Sequence, residues 1–266
     1  MKRYKVIFNF DTSGVIGQGD GIVEGSAKTT EEYITRIVHV LKGQSAIEVD
    51  AIFWCDGAGG NSANWDSEVL EKSAERIGKV DPLLIKMIEE GNDPPLVAIR
   101  ECRKLGKDVF YSFRLNDPHD CIESRAHLLA TFKVEHPEWT LEKGESEGPV
   151  LSGHPYGSHR ALDFAVPEVR DLKFAVVEEV FRKYDFDGLE IDFMRSPPYF
   201  TPGTEPENAH IMTKFLRRIR NHLAERGKQR GRPIALAVRV DESLEACRLD
   251  GFDVATWMKE RLVDIV

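Results

Sequence analysis

Apolar positions along the chain follow two periods. Residues 4–11, 49–56, 108–117, 188–194 and 234–240 alternate with a period of two or run almost wholly apolar, and they predict strands. Residues 263–266 look like the start of a sixth. Between them the period lengthens to that of a helix. Tyr33, Ile34, Ile37, Val38 and Leu41 follow the capping pattern Thr29-Thr-Glu-Glu32 and stop at Gly43. Residues 66–90 read as two helical pieces broken near Asp81-Pro82, and Asn92-Asp-Pro-Pro95 caps a helix with Leu96, Ile99 and Leu105. Val169, Leu172, Val176, Val180 and Phe181 follow a helix-opening Pro167. Met212, Phe215, Leu216, Ile219 and Leu223 follow a second capping pattern, Thr204-Glu-Pro-Glu207, and Asp253 caps a short helix with Val254, Trp257 and Met258. Strands alternating with helices predict a parallel sheet whose chemistry gathers at the carboxyl ends of the strands.

The strand after Asp187 organises the rest. Leu189, Ile191 and Phe193 form an apolar face that predicts packing against helices, while Glu190 and Asp192 share the opposite face. Buried carboxylates are costly unless paired or used, so two on the inward face of a central strand mark either an ion-paired strand end or a site. Closing a parallel barrel takes eight strands. About six are legible here, so the expected fold is α/β of the (β/α)8 barrel type, incomplete within these residues or completed by a partner or by residues outside them. We expect a single domain over residues 1–266, with a long excursion at 118–160 after the third strand.

Composition narrows the partners. At 41% hydrophobic over 266 residues, the chain can bury a full core. A net charge of −9 argues against nucleic acid, and the basic residues between Lys214 and Arg232 read as a solvated helix face. The cysteines Cys55, Cys102, Cys121 and Cys247 lack metal spacing and read as reduced thiols, so we expect no metal and no cofactor. No run reaches membrane-spanning length and no leader core follows Met1, so the default is cytoplasmic, or secreted or periplasmic if a leader precedes the sequence. Oligomeric state is open.

Several segments resemble, in the same order, the glycosyl-hydrolase-like 10 group, family 10-like glycosylhydrolases built on a (β/α)8 barrel. Asp187-Gly-Leu-Glu-Ile-Asp-Phe-Met-Arg-Ser-Pro197 is similar to the group's DG-hydrophobic-x-x-D-aromatic-x-R-x-P strand. His136-Pro-Glu-Trp139, the Ala161-Leu-Asp-Phe-Ala-Val-Pro-Glu-Val-Arg170 helix entry and the Arg114-Leu-Asn-Asp-Pro-His119 turn also resemble it. So does Trp257-Met-Lys-Glu-Arg-Leu-Val-Asp264, with Arg261 where glycine is usual. The resemblance covers roughly residues 100–266. A looser likeness joins this strand to family 18 chitinases, but their acid position is Met194 here, which cannot donate a proton. The resemblance implies a carbohydrate-active barrel and a carbohydrate substrate.

Glycoside hydrolysis needs two carboxyl groups on opposite sides of the bond. Asp192, nearest the strand end, is the expected nucleophile or base, and Glu190, one pleat deeper, tunes or orients it. The partner acid is expected from Asp241 or Glu242 after the fifth strand, with Asp56 and Asp117 as further choices; if it lies outside these residues, the chain alone is inactive. Asn9, Asp11, Arg114, Asn116, His119, Arg195 and Arg239 are candidates for binding sugar hydroxyls. Trp54, Trp65, Trp139 and Tyr156 are candidates for stacking on sugar rings, with core packing the competing role for Trp54. Two rival readings are a non-catalytic carbohydrate-binding barrel and a metal-dependent barrel enzyme, an isomerase or deacetylase, using Asp11, Asp56, Asp117, His119, Glu190 and Asp192 as oxygen and nitrogen ligands.

Overall fold

The computed structural model describes residues 3–13, 15–16, 26–45, 48–121, 123–141, 160–195 and 197–266. Five strands, β1 (Ile7–Asp11), β2 (Ala51–Cys55), β3 (Asp108–Arg114), β4 (Gly188–Asp192) and β5 (Ala235–Arg239), form one sheet in sequential order, every neighbouring pair parallel. The helices are α1 (Thr30–Ser45), α2 (Pro82–Glu89), α3 (Pro94–Lys104), α4 (Thr131–Glu135), α5 (Pro167–Lys183), α6 (Glu205–Arg230), α7 (Leu244–Leu249) and α8 (Val254–Lys259). This is the arc of an incomplete (β/α)8 barrel. The final residues begin a sixth position against β5: the Val238 amide donates to the Ile265 carbonyl (3.0 Å) and the Asp264 amide to that of Leu236 (2.8 Å). Among the described residues, no helix is long and apolar enough to cross a membrane.

The strands have two apolar layers because both faces of the sheet are covered. On the helix side, Trp54, Tyr111, Phe113, Leu189 and Ile191 join the large core with α3, α5 and α6. The inner side carries a second, smaller cluster of Ala51, Phe53, Phe110, Ala235 and Ala237. There the rings of Phe53 and Phe110 lie 4.5 Å apart. Small residues on β4 and β5 make room for them: a Cβ on Gly188 would overlap the Phe110 ring. Large side chains on two strands thus interlock with small ones on the next two.

Carboxylates at the amino ends of the strands serve the backbone. Asp50 accepts from the Val6 amide (2.9 Å), Asp187 from Val109 (2.9 Å) and Asp264 from Leu236 (2.8 Å). These satisfy donors that the sheet leaves unpaired. Two of these carboxylates also pair with arginines, Asp187 with Arg232 (2.6 Å) and Asp264 with Arg220 (2.5 Å).

Local capping follows the sequence in part. Thr29 accepts from the Glu32 amide (3.1 Å) and Asp253 caps α8 through Thr256. The second capping box does not form: the Thr204 hydroxyl donates to the Thr201 carbonyl (2.8 Å) and leaves α6 without a side-chain cap. α1 runs past Gly43 to Ser45. The first helical piece expected within 66–90 is absent. A carboxylate from α5 reaches across instead: Glu179 accepts from the Ser67 hydroxyl (2.7 Å) and the Glu68 amide (2.6 Å), holding 66–70 in an irregular loop. Only a short 3-10 turn, Glu75–Ile77, precedes α2.

Candidate functional site

The inward-facing positions at the carboxyl end of the sheet form two rows. In the upper row Arg114, Asp192 and Arg239 lie side by side in register across β3, β4 and β5. One pleat deeper lie Ser112, Glu190 and Ala237. The alternation that buries Leu189 and Ile191 against the helices turns both carboxylates inward. Glu190 and Asp192 are 3% and 2% exposed.

Their partners set their charge. Arg239 donates to one Asp192 oxygen (3.2 Å) and the Met194 amide to the other (3.1 Å). Burial raises the Asp192 carboxyl above its usual range, opposed by Arg239, Arg114 and Arg195. Glu190 accepts from the Asn9 side-chain amide (3.1 Å) across the inner face. Burial pushes Glu190 up to about 7, against a hydrogen bond from Ser112, and the nearby charge of Asp192 adds to the rise. One carboxyl is therefore half protonated near neutrality, beside another held among arginines.

The raised pKa of Glu190 carries a stability signature. The folded state binds a proton more tightly than the unfolded chain, whose ordinary value is 4.5. Stability from this group is full below 4.5 and is lost as pH rises through about 7. Glu190→Gln, which keeps an acceptor for Asn9, is expected to melt several degrees above the parent at pH 8, a gain of up to about 3 kcal/mol. The difference should vanish near pH 4.5; an equal gain at both pH values in thermal melts would refute the assignment.

Beyond Arg114, Asp192's neighbour on β3, lies a cleft of about 190 Å³ lined by Arg114, Arg195, Arg125, Asp117, His119 and Gly57–Gly59; the two carboxylates themselves do not line it. Arg114 pairs with Asp11, and its Nη1 lies 3.9 Å from Asp117. Burial works to raise Asp11, but Arg114 and the hydrogen bonds from Ser13 together outweigh it and hold the carboxyl low. His119 pairs with Asp117 through Nδ1, and Asp117 is likewise held low against its burial. The glycine loop must lie flat on the strand ends. Gly60 has φ of +71°, and a Cβ there would overlap the Arg114 carbonyl oxygen and sit 2.9 Å from the Phe113 ring. Gly60→Ala is expected to lose at least about 2 kcal/mol in chemical denaturation; a neutral result would mean that the loop is free to shift away from Arg114.

The structure brings Arg114, Asp117, His119 and Arg195 to this cleft and Asn9, Asp11, Glu190, Asp192 and Arg239 to the strand ends beside it. It does not bring Trp54, which is 1% exposed on the opposite face and stacks on Phe186. Trp65 is also sealed in the core, edge-on to Tyr184. Asn116 is fully buried and staples backbone: it donates to the carbonyls of Leu162 (3.2 Å) and Pro198 (3.1 Å) and accepts from the Leu162 amide (2.8 Å). With both ends of its amide engaged, it is not a sugar ligand. Asp56 caps its own loop, accepting from the amides of Ala58 (3.0 Å) and Asn64 (3.3 Å), and burial raises it to about 6. Trp139 has one ring face covered by His136 at 4.2 Å. Tyr156, and residues 142–159 of the expected excursion, lie outside the described residues.

After β5, Asp241 shares a hydrogen bond with Asp250; burial first and then that bond raise Asp250 to about 7. Glu242 is exposed. Two buried lysines escaped the sequence reading. Lys173 donates to the Gly60 carbonyl (2.5 Å) and the Asn61 side chain (2.8 Å), bracing the glycine loop from α5. Lys133 pairs with Asp120 (3.1 Å) behind His119. Lys173 left a trace: it sits four residues after Val169, inside the apolar stripe of its helix. Among the described residues, no group of three or more His, Cys, Asp or Glu side chains is placed to share a metal ion.

No family model matches the chain, and no curated protein matches it. Solved structures do match. An alpha-galactosidase from Thermus thermophilus is 15% identical with a TM-score of 0.47, the match covering 89% of this chain and 38% of that one. Alpha-L-fucosidase isoenzyme 2 from Paenibacillus thiaminolyticus is 16% identical with a TM-score of 0.44, covering 89% and 32%. An alpha-galactosidase from Lactobacillus brevis is 12% identical with a TM-score of 0.47, covering 90% and 27%. The chain thus spans 27% to 38% of the length of these proteins.

Proposed function

We propose that this chain, as a single domain, carries the catalytic face of a glycoside hydrolase acting on an oligo- or polysaccharide, with Asp192 as nucleophile or base. The observation that supports this most is the pair of inward carboxylates at the carboxyl end of β4, both buried on one face of the strand, with Arg239 on Asp192 and Asn9 on Glu190. The strand-start acids Asp50, Asp187 and Asp264 lie at the opposite end of the sheet, where each closes a backbone amide and two also pair with Arg232 and Arg220. Glu190 tunes Asp192 from one pleat below, and being on the same strand it cannot be the opposed acid. The partner acid is proposed to be Asp241, just after β5, which shares a hydrogen bond with Asp250, itself raised to about 7 by burial first and then by that bond. The Arg239 side chain is 47% exposed over a 3% exposed partner, so substrate gains Asp192 by displacing it.

The same burial favours a second reading, a barrel that binds carbohydrate without cleaving it. An oligosaccharide-array screen with hydrolysis of the hits separates the two. Turnover that is lost in Asp192→Asn and Asp241→Asn supports the hydrolase; binding without turnover in any form supports the binding barrel.

A further inference from the structure

The chain carries a net charge of −9, yet the cleft beside Asp192 is cationic. Its negative groups are committed: Asp120 to Lys133, Asp117 to His119, and neighbouring Asp11 to Arg114. Two arginines are left over. Arg125 forms no ion pair among the described residues. Arg195 comes no closer than 3.8 Å to Asp11, and its Nε is shielded from solvent with no hydrogen-bond acceptor. A buried donor without a partner is costly, and a guanidinium fork matches a planar carboxylate or a sulfate. Gly57 and Gly59 put no side-chain bulk on the facing wall. Arg195 also joins the cleft to the carboxylates, since its charge acts on Asp192.

We propose that this cleft binds an anionic group of the substrate, a carboxylate or sulfate carried by a sugar next to the bond presented to Asp192. Arg195 and Arg125 hold the anion, and Arg114, fixed by Asp11, sets their background charge. This rests on the carbohydrate reading and narrows it to acidic glycans such as uronic-acid or sulfated chains.

The test is calorimetric binding of the whole chain to galacturonate and glucuronate oligosaccharides, a sulfated disaccharide and their neutral counterparts. It is repeated with an Arg125→Gln/Arg195→Gln variant whose melting temperature is checked. At least one acidic sugar should bind roughly tenfold or more tighter than its neutral counterpart. The variant should lose that preference without losing stability, and the carboxylate and sulfate arms tell which anion is read. Equal affinity for acidic and neutral sugars, a preference unchanged in the variant, or no binding of any acidic sugar overturns the proposal. Neutral sugars cleaved through Asp192 without acidic preference would overturn the cleft alone. Acidic preference with no turnover would leave the cleft standing and overturn the catalytic reading.

Discussion

Replacing Asp192 by asparagine is expected to lower hydrolysis by roughly a hundredfold to ten-thousandfold, the range for losing one positioned acid–base group. The fold should survive. Asparagine keeps an oxygen for Arg239 or the Met194 amide, which hold the carboxylate at 3.2 and 3.1 Å. Burial already raises the Asp192 carboxyl, so its ionised form is strained in the folded state and a neutral amide relieves that strain. The melting temperature at pH 7 should therefore stay level or rise slightly. A strand-end ion pair predicts the reverse: activity untouched and a clear fall in melting temperature, because Arg239 loses its countercharge. Rate and melting curve measured on one preparation tell the two apart.

Replacing Lys133 by methionine is expected to remove about 3–5 kcal/mol of stability, a fall on the order of 10 °C in melting temperature. Lys133 and Asp120 are 1% and 2% exposed, and the lysine donates to both Asp120 oxygens at 3.1 and 3.2 Å. Methionine fills the volume of the stem but strands a buried carboxylate. Adding Asp120→Asn should restore part of the loss, since it removes the orphaned charge. The effect should also reach the cleft, because Lys133 and Asn61 both donate to the Asp117 carbonyl, at 3.4 and 2.6 Å. A variant that melts like the parent would mean that Asp120 finds another partner.

What was readable along the chain follows from short-range physics. Alternation placed Glu190 and Asp192 on one face and Leu189 and Ile191 on the other, because a strand has only two sides and the apolar one must be covered. The same rule put the ends of five parallel strands at one mouth. It could not say which residues in the loops above would be free to act. Asn116 and Asp56 have the chemistry of ligands but their side chains are spent on backbone amides 46 and 8 residues away. Trp54 follows the alternation to the helix side, where Phe186 takes its ring face. Residues 66–70 have helical spacing but answer to Glu179, more than a hundred residues on. Arg114 meets Asp11 across 103 residues, and Lys133 on α4 meets Asp120, 13 residues before it, a pairing that no periodicity describes. Periodicity reports which side of an element is apolar, a property of neighbours in the chain. Which polar group is consumed by backbone and which is left facing the cleft depends on contacts between distant segments, and those exist only once the sheet and its loops have closed on one another.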